Sequence, residues 1–192
     1  MPLLGPSDAL PDRPNRVLVA GTSGSGKTTL AAQIAGTLGV PHVEIDALFH
    51  GPDWTPRPSF TADVRRFSAG PAWVTEWQYV SERAHLAERA DLMVWLDLPR
   101  AVVMLQVARR TLRRRLRRQR LWNSNVEPPL WTFFTDSEHI VRWAWRTHQE
   151  SASRVRTMLQ EHPDRTVVRL RSHEEASLWL EGPLRRSAHS MR

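Results

Sequence analysis

The sequence predicts an α/β fold: a five-stranded parallel sheet flanked by helices. Three observations predict it. Short apolar, β-branched runs alternate with helical segments, a glycine-rich turn joins the first such run to the first helix, and 192 residues suit one domain with a sizeable core. Apolar runs without polar alternation mark strands covered on both faces, which parallel sheets require.

Taken in order, residues 1–15 carry four prolines and little apolar periodicity and read as a flexible leader. RVLVA (16–20) is the first strand. The glycine turn follows, and then a helix with Leu30, Ile34 and Leu38 on one face, ending at Gly39 with Pro41 beyond. VPHVEID (40–46) reads as a second strand, HGPDWTPRPS (50–59) as a loop, FTADVRRFSA as a helix and AWVTEW (72–77) as a third strand. VSERAHLAERA is a short helix and DLMVWLDL (91–98) a fourth strand stopped by Pro99. One long helix is expected from Arg100 to about Arg120, with Met104, Ala108, Leu112 and Leu116 as its apolar stripe. A loop containing Pro128 and Pro129, a Trp-rich helix over about 137–160, a fifth strand RTVVRLR (165–171) and a last helix EEASLWL complete the chain. The domain is placed at 16–182, with 183–192 as a flexible tail.

Composition excludes several classes. With no cysteine there is no disulfide framework, thiolate zinc site or cysteine nucleophile, which fits a reducing, cytoplasmic setting. No apolar run approaches the roughly 20 residues that span a bilayer, and the N-terminus lacks a basic region ahead of its leucines, so neither a membrane span nor a secretory signal is expected. The formal charge of +7 raises nucleic acid as a partner. Of the 27 basic residues, however, Lys27 is the single lysine and the rest are arginine. An ammonium is a compact point charge on a thin stem that fits inside a tight loop around a phosphate, where a planar guanidinium does not.

That lysine sits in GTSGSGKT (21–28), which matches G-x-x-x-x-G-K-[ST] at every fixed position and lies between a predicted strand and a predicted helix. In such a P-loop the glycines let backbone N–H groups turn inward as an anion nest, and the helix adds the positive end of its dipole. Gly21, Thr22, Ser23, Gly24, Ser25, Gly26, Lys27, Thr28 and Thr29 are therefore the expected triphosphate site, with ATP and Mg²⁺ as cofactors. Lys27 is expected at the β and γ phosphates, and Thr28 at the magnesium.

The loop does not name the reaction. Asp46, at the predicted end of the second strand, could bind the acceptor, act as general base or hold magnesium through water. Glu76 and Asp97 are further strand-end acids. Glu76 is favoured as the magnesium acid, because Asp97 sits just ahead of Pro99 and could start the next helix. Phosphoryl transfer spreads negative charge over the transferred group, so arginines from a lid are expected there. The eight arginines between 109 and 120 exceed what one site can use. Arg109, Arg113 and Arg117 share one face at i, i+4 spacing and are the expected catalytic set. Trp122, beside Arg120, could stack on a base, whereas most of the nine tryptophans read as packing residues. The eight histidines show no metal-binding spacing.

With the P-loop, the strand ending in Asp46, VWLDLPR and the arginine helix before LWNSN in hand, the chain resembles the adenylate-kinase-like nucleotide kinases. More closely it resembles the small bacterial branch often labelled topology modulation or FlaR-like proteins, over roughly residues 16–182. The resemblance implies a P-loop nucleoside triphosphate hydrolase fold with the P-loop strand central, ATP at the loop, an acceptor site near the second strand and lid arginines after the fourth. It carries over to Lys27 and Thr28, and further to Asp46 and Arg109 or Arg113. Adenylate kinases have Asp-Gly-Phe-Pro-Arg at the third strand, where this chain has TEWQY (75–79); the small branch has a glycine-asparagine pair there, also absent.

The first expectation is thus an ATP-dependent phosphotransferase acting on a small-molecule acceptor, which could be a nucleotide, a nucleoside or another molecule. The second, from a different class, is a nucleotide-dependent nucleic-acid-binding or regulatory protein that uses the arginine helix. The sequence leaves the acceptor and the oligomeric state open.

Overall fold

A computed structural model of the chain describes residues 3–116 and 140–189. Its strands are β1 (Leu3–Leu4), β2 (Arg16–Gly21), β3 (Trp73–Glu76), β4 (Leu92–Leu96) and β5 (Thr166–Leu170). They form one parallel sheet in the order β1-β5-β4-β2-β3. The helices are α1 (Lys27–Leu38), α2 (Ile45–Phe49), α3 (Phe60–Ser68), α4 (Val80–Arg89), α5 (Arg100–Leu116), α6 (Ile140–Glu161), α7 (His173–Trp179) and α8 (Arg185–His189).

The strand registers explain the apolar runs. β2 lies between β4 and β3, with Val17 opposite Leu92 on one side and Val74 on the other. Every residue of β3 and β4 is buried. Side chains of a strand alternate between faces, so two cores result. Val17, Val19, Val94 and Val168 pack on one side with α1, α5 and α7. Leu18, Met93, Trp95 and Val167 pack on the other with α2, α3, α4 and α6. On α1 the expected face is the buried one, with Leu30, Ile34 and Leu38 all in the core. Gly39 ends the helix in the left-handed region at φ 67, its N–H donating to Ala35 O, as a glycine after a helix commonly does.

Two expectations about the strands are corrected. Residues 40–46 do not form a strand. Only His42 bridges Val74, and Val43 N–H donates to Val74 O at 2.9 Å before the backbone turns into α2 at Ile45. Pro41 supplies no N–H to a ladder. The Ile45 N–H is taken instead by the Glu76 carboxylate at 3.1 Å, which satisfies a donor at the helix start. Asp46 therefore lies in the first turn of a helix, not at a strand end.

In place of the expected strand at 40–46, the leader supplies one, β1. Leu3 and Leu4 pair with Val167 and Val168 at the sheet edge. Arg13 then donates to Leu38 O at 2.6 Å, and the Asp91 carboxylate accepts from the N–H groups of Asn15 and Arg16. At the other end, residues 180–184 continue from α7 as a π-helical turn into α8, with Pro183 and Leu184 buried, so the chain packs on beyond 182. Among the described residues no helix is long and apolar enough to cross a membrane.

Candidate active site

The P-loop leaves the C-terminal end of β2 and runs into α1. Gly24 and Gly26 have φ of +84° and +97°, values that L side chains rarely adopt, and this is why the motif needs glycine there. Ser25 N–H donates to Thr22 O, and Leu30 N–H starts the helical ladder on Gly26 O. Two other elements pack onto the loop. Val107 of α5 stands against Gly24, and His173, the first residue of α7, approaches Gly26 while bonding to Gln106 of α5. Thr22 and Ser25 are buried, Ser23 and Thr28 are partly exposed, and Thr29 is exposed.

Lys27 is 7 % exposed and donates from Nζ to Thr22 O at 3.1 Å, so its stem lies along the loop. Burial lowers its pKa to about 8; the Asp46 and Glu76 carboxylates pull it up, and Arg110 and Arg83 push it further down. Lys27 thus lies in the field of two carboxylates, Asp46 and Glu76, and two guanidinium groups, Arg110 and Arg83.

Glu76, at the end of β3, is fully buried. Burial acts to raise its pKa, yet the nearby His42 ring, the Ile45 N–H and the Thr28 side chain outweigh it and hold the carboxyl below its usual range. His42 Nε2 faces Oε1 at 3.4 Å. A carboxylate beside the hydroxyl of the P-loop threonine is a hard oxygen donor set suited to a divalent cation that retains waters. Thr28 and Glu76, the two residues expected at magnesium, are thus neighbours.

Asp97 is placed differently. Its carboxylate takes two hydrogen bonds from the Arg169 guanidinium of β5, one at 2.8 Å from Nε, and Arg169 in turn lies 4.7 Å over the Trp95 ring. Asp97 is therefore occupied in tying β4 to β5.

Asp46 faces the segment after β3. Its Oδ1 accepts from Gln78 Nε2 at 2.7 Å and from the Tyr79 hydroxyl at 2.6 Å. Tyr79 stacks on Phe49 at 4.1 Å between centroids and meets the edge of Phe60, while His50 bridges to Trp54. Sequence reasoning passed over Gln78, Tyr79, His42 and Arg83. One signal was available: Tyr79 is the chain's single tyrosine and follows a strand-end acid by three residues.

No protein-family model matches the chain, and no curated protein matches it. Among solved structures, a gluconokinase from Sinorhizobium meliloti is similar at 22 % identity and a TM-score of 0.51, over 92 % of this chain and 95 % of that one. The two share a fold. A sugar kinase from Janibacter (18 % identity, TM-score 0.48, 94 % and 91 % covered) and a shikimate kinase from Bacteroides thetaiotaomicron (14 %, 0.49, 88 % and 95 %) are also similar. The fold shared with the gluconokinase is a parallel sheet flanked by helices, the fold class the sequence predicts.

Of the two described arginine side chains in the dense part of this helix, Arg109 is exposed, and Arg110, one residue on, carries a charge that reaches Lys27. Among the residues of α5 whose burial is described, Val103 and Val107 are the buried ones, and Arg110 follows Val107 at i+3 on the same side. The Arg113 side chain and the whole of Arg117 and Trp122 lie outside the described residues. Arg83 of α4 is the second guanidinium near Lys27. It is half-buried, lies 5.8 Å from the Trp77 ring, and feels Arg154 and Glu150 of α6.

Proposed function

We propose that the chain is an ATP-dependent small-molecule kinase, with ATP and Mg²⁺ at the P-loop and the acceptor addressed by Asp46. The observation that carries this is the P-loop geometry: Gly24 and Gly26 in the positive-φ region lead into α1 and hold the buried Lys27 ammonium within the loop, 3.1 Å from Thr22 O. The likeness to the gluconokinase supports the fold on which such a site stands.

In this reading the loop N–H groups and Lys27 bind the β and γ phosphates, and Thr28 and Glu76 would hold the magnesium ion. That ion supplies charge neutralisation for the transferred group and its leaving oxygen. Asp46 orients the acceptor hydroxyl and receives its proton as the oxygen attacks the γ-phosphorus. Arg110 and Arg83 spread positive charge over the equatorial oxygens, and Val107 and His173 close over the loop and exclude water. The nucleic-acid reading is not favoured: no described residue adds to it beyond net charge, and Arg110 leans toward the site.

The experiment is ADP release from Mg²⁺·ATP with a panel of sugar acids, polyols, nucleosides and nucleoside monophosphates. One acceptor should accelerate turnover by more than tenfold, and Lys27→Ala should abolish the acceleration. Unaccelerated turnover with every acceptor, unchanged by Lys27→Ala, would sink the proposal.

A further inference from the structure

Oδ1 of Asp46 already holds a hydroxyl. Tyr79 Oη–H donates to Oδ1 at 2.6 Å while Gln78 donates to the same atom at 2.7 Å, so both lone-pair directions of Oδ1 are engaged from the protein side. This geometry is what an acceptor hydroxyl would make with its general base.

The phenol is held there deliberately. Tyr79 has φ 59°, ψ 113°, a left-handed-side backbone that a bulky residue adopts only when its surroundings enforce it. Its ring is fixed by stacking on Phe49 at 23° between planes and by the edge of Phe60, and its hydroxyl also lies 3.3 Å from His50 Nε2. Burial, and then the Asp46 carboxylate, raise the phenol pKa well above its ordinary value, so the group remains a proton donor throughout the working pH range.

We propose that Tyr79 is a specificity-determining residue of the acceptor site: its hydroxyl occupies Oδ1 of Asp46 until an acceptor hydroxyl replaces it, and so keeps water from acting as acceptor at that oxygen. This rests on the kinase reading above. Without such a guard, water bound at Asp46 would attack the γ-phosphorus. A new P–O bond would form, the bond from phosphorus to the β–γ bridging oxygen would break, the water proton would pass to Asp46, and ADP and inorganic phosphate would leave. With Tyr79 in place, only a molecule whose other contacts offset the loss of the Tyr79–Asp46 bond gains access to Oδ1.

The test is ADP release from Mg²⁺·ATP without any acceptor in four proteins: wild type, Tyr79→Phe, Asp46→Asn and the double variant. Tyr79→Phe keeps the ring and deletes only the hydroxyl. It should raise acceptor-free turnover about tenfold, as expected for removal of a hydrogen bond to a charged group, and adding Asp46→Asn should cancel the rise. A Tyr79→Phe rate at or below wild type, with ATP affinity and melting temperature retained, overturns the proposal, as does a rise that survives Asp46→Asn.

A second measurement needs no substitution. Because Tyr79 is the single tyrosine, wild-type protein grown on 3-fluorotyrosine gives one ¹⁹F resonance. Any of gluconate, shikimate, adenosine 5′-monophosphate or adenosine that stimulates ADP formation should shift that resonance. A stimulating molecule that leaves it unmoved overturns the proposal. If no probe stimulates the wild type, the kinase reading is what suffers, and the acceptor-free comparison still decides Tyr79.

Discussion

Gly24 of the P-loop and Val107 of α5 are packed so closely that a Cβ placed on Gly24 would lie 2.2 Å from Val107 Cγ2. The helix that carries the arginines is thereby seated on the P-loop, and a movement of one is felt by the other. Gly24→Ala should lower stability by about 2–4 kcal/mol, combining overpacking with a φ of +84° that alanine resists. Pairing it with Val107→Ala should recover the packing part but not the backbone part. Urea unfolding of the single and double variants measures both, and equal losses in the two would show that the clash contributes nothing.

Lys27 should leave a signature in the pH dependence of stability. Its pKa is near 10.5 in the unfolded chain and about 8 in the folded one, so the unfolded state binds more protons between those values. Stability then rises with pH across pH 8–10, by up to about 3 kcal/mol. With one lysine, no cysteine, and a single tyrosine whose shift opposes folding only above about pH 10, few other groups titrate in that window. Lys27→Met should abolish the rise and be more stable than wild type at pH 7.5, while losing ATP binding. Chemical denaturation at pH 7.5 and 9.5 checks it, and parallel curves for the two proteins would count against a desolvated lysine.

Arg110 and Arg109 adjoin in sequence and differ in direction. Arg110→Ala should reduce acceptor-dependent turnover by on the order of tenfold to a hundredfold, the scale of losing one charge that stabilises the transferred group. Arg109→Ala should remain within about threefold of wild type. Steady-state kinetics of the two variants compare them directly, and the reverse ranking would return the expected face to Arg109.

The fold was legible in the sequence where one physical cause acted alone. The strands 16–20, 91–98 and 165–171 are apolar because both faces are covered, and Gly39 follows α1 because the chain there turns through a left-handed residue. It was not legible where a distant group decided. Residues 40–46 have strand-like composition, but the Glu76 carboxylate, 31 positions away, accepts the Ile45 N–H and starts a helix there. Leu3–Leu4 is too short a segment to announce a strand, and only β5 makes it one. In the site, Lys27, Thr28 and Glu76 could be named from motif and strand ends, whereas Tyr79 and Arg83 are brought in by the path of the chain between β3 and α4, which local patterns do not encode.

Asp97 should prove structural. Asp97→Asn removes the charge that Arg169 holds and should cost about 1–3 kcal/mol of stability, since the pair is mostly shielded from solvent. ATP affinity should stay within about twofold. Thermal unfolding with ATP titration checks both, and a stable variant that has lost Mg²⁺-dependent ATP binding would move the magnesium acid from Glu76 to Asp97.

The central claim is transfer of a phosphoryl group to a small molecule. It is tested most directly by supplying ATP labelled at the γ-phosphate with the acceptor panel and following the label. The account predicts label in an organic phosphate ester with the wild-type protein and none with Lys27→Ala. Label appearing only as inorganic phosphate, whatever acceptor is present, would contradict it.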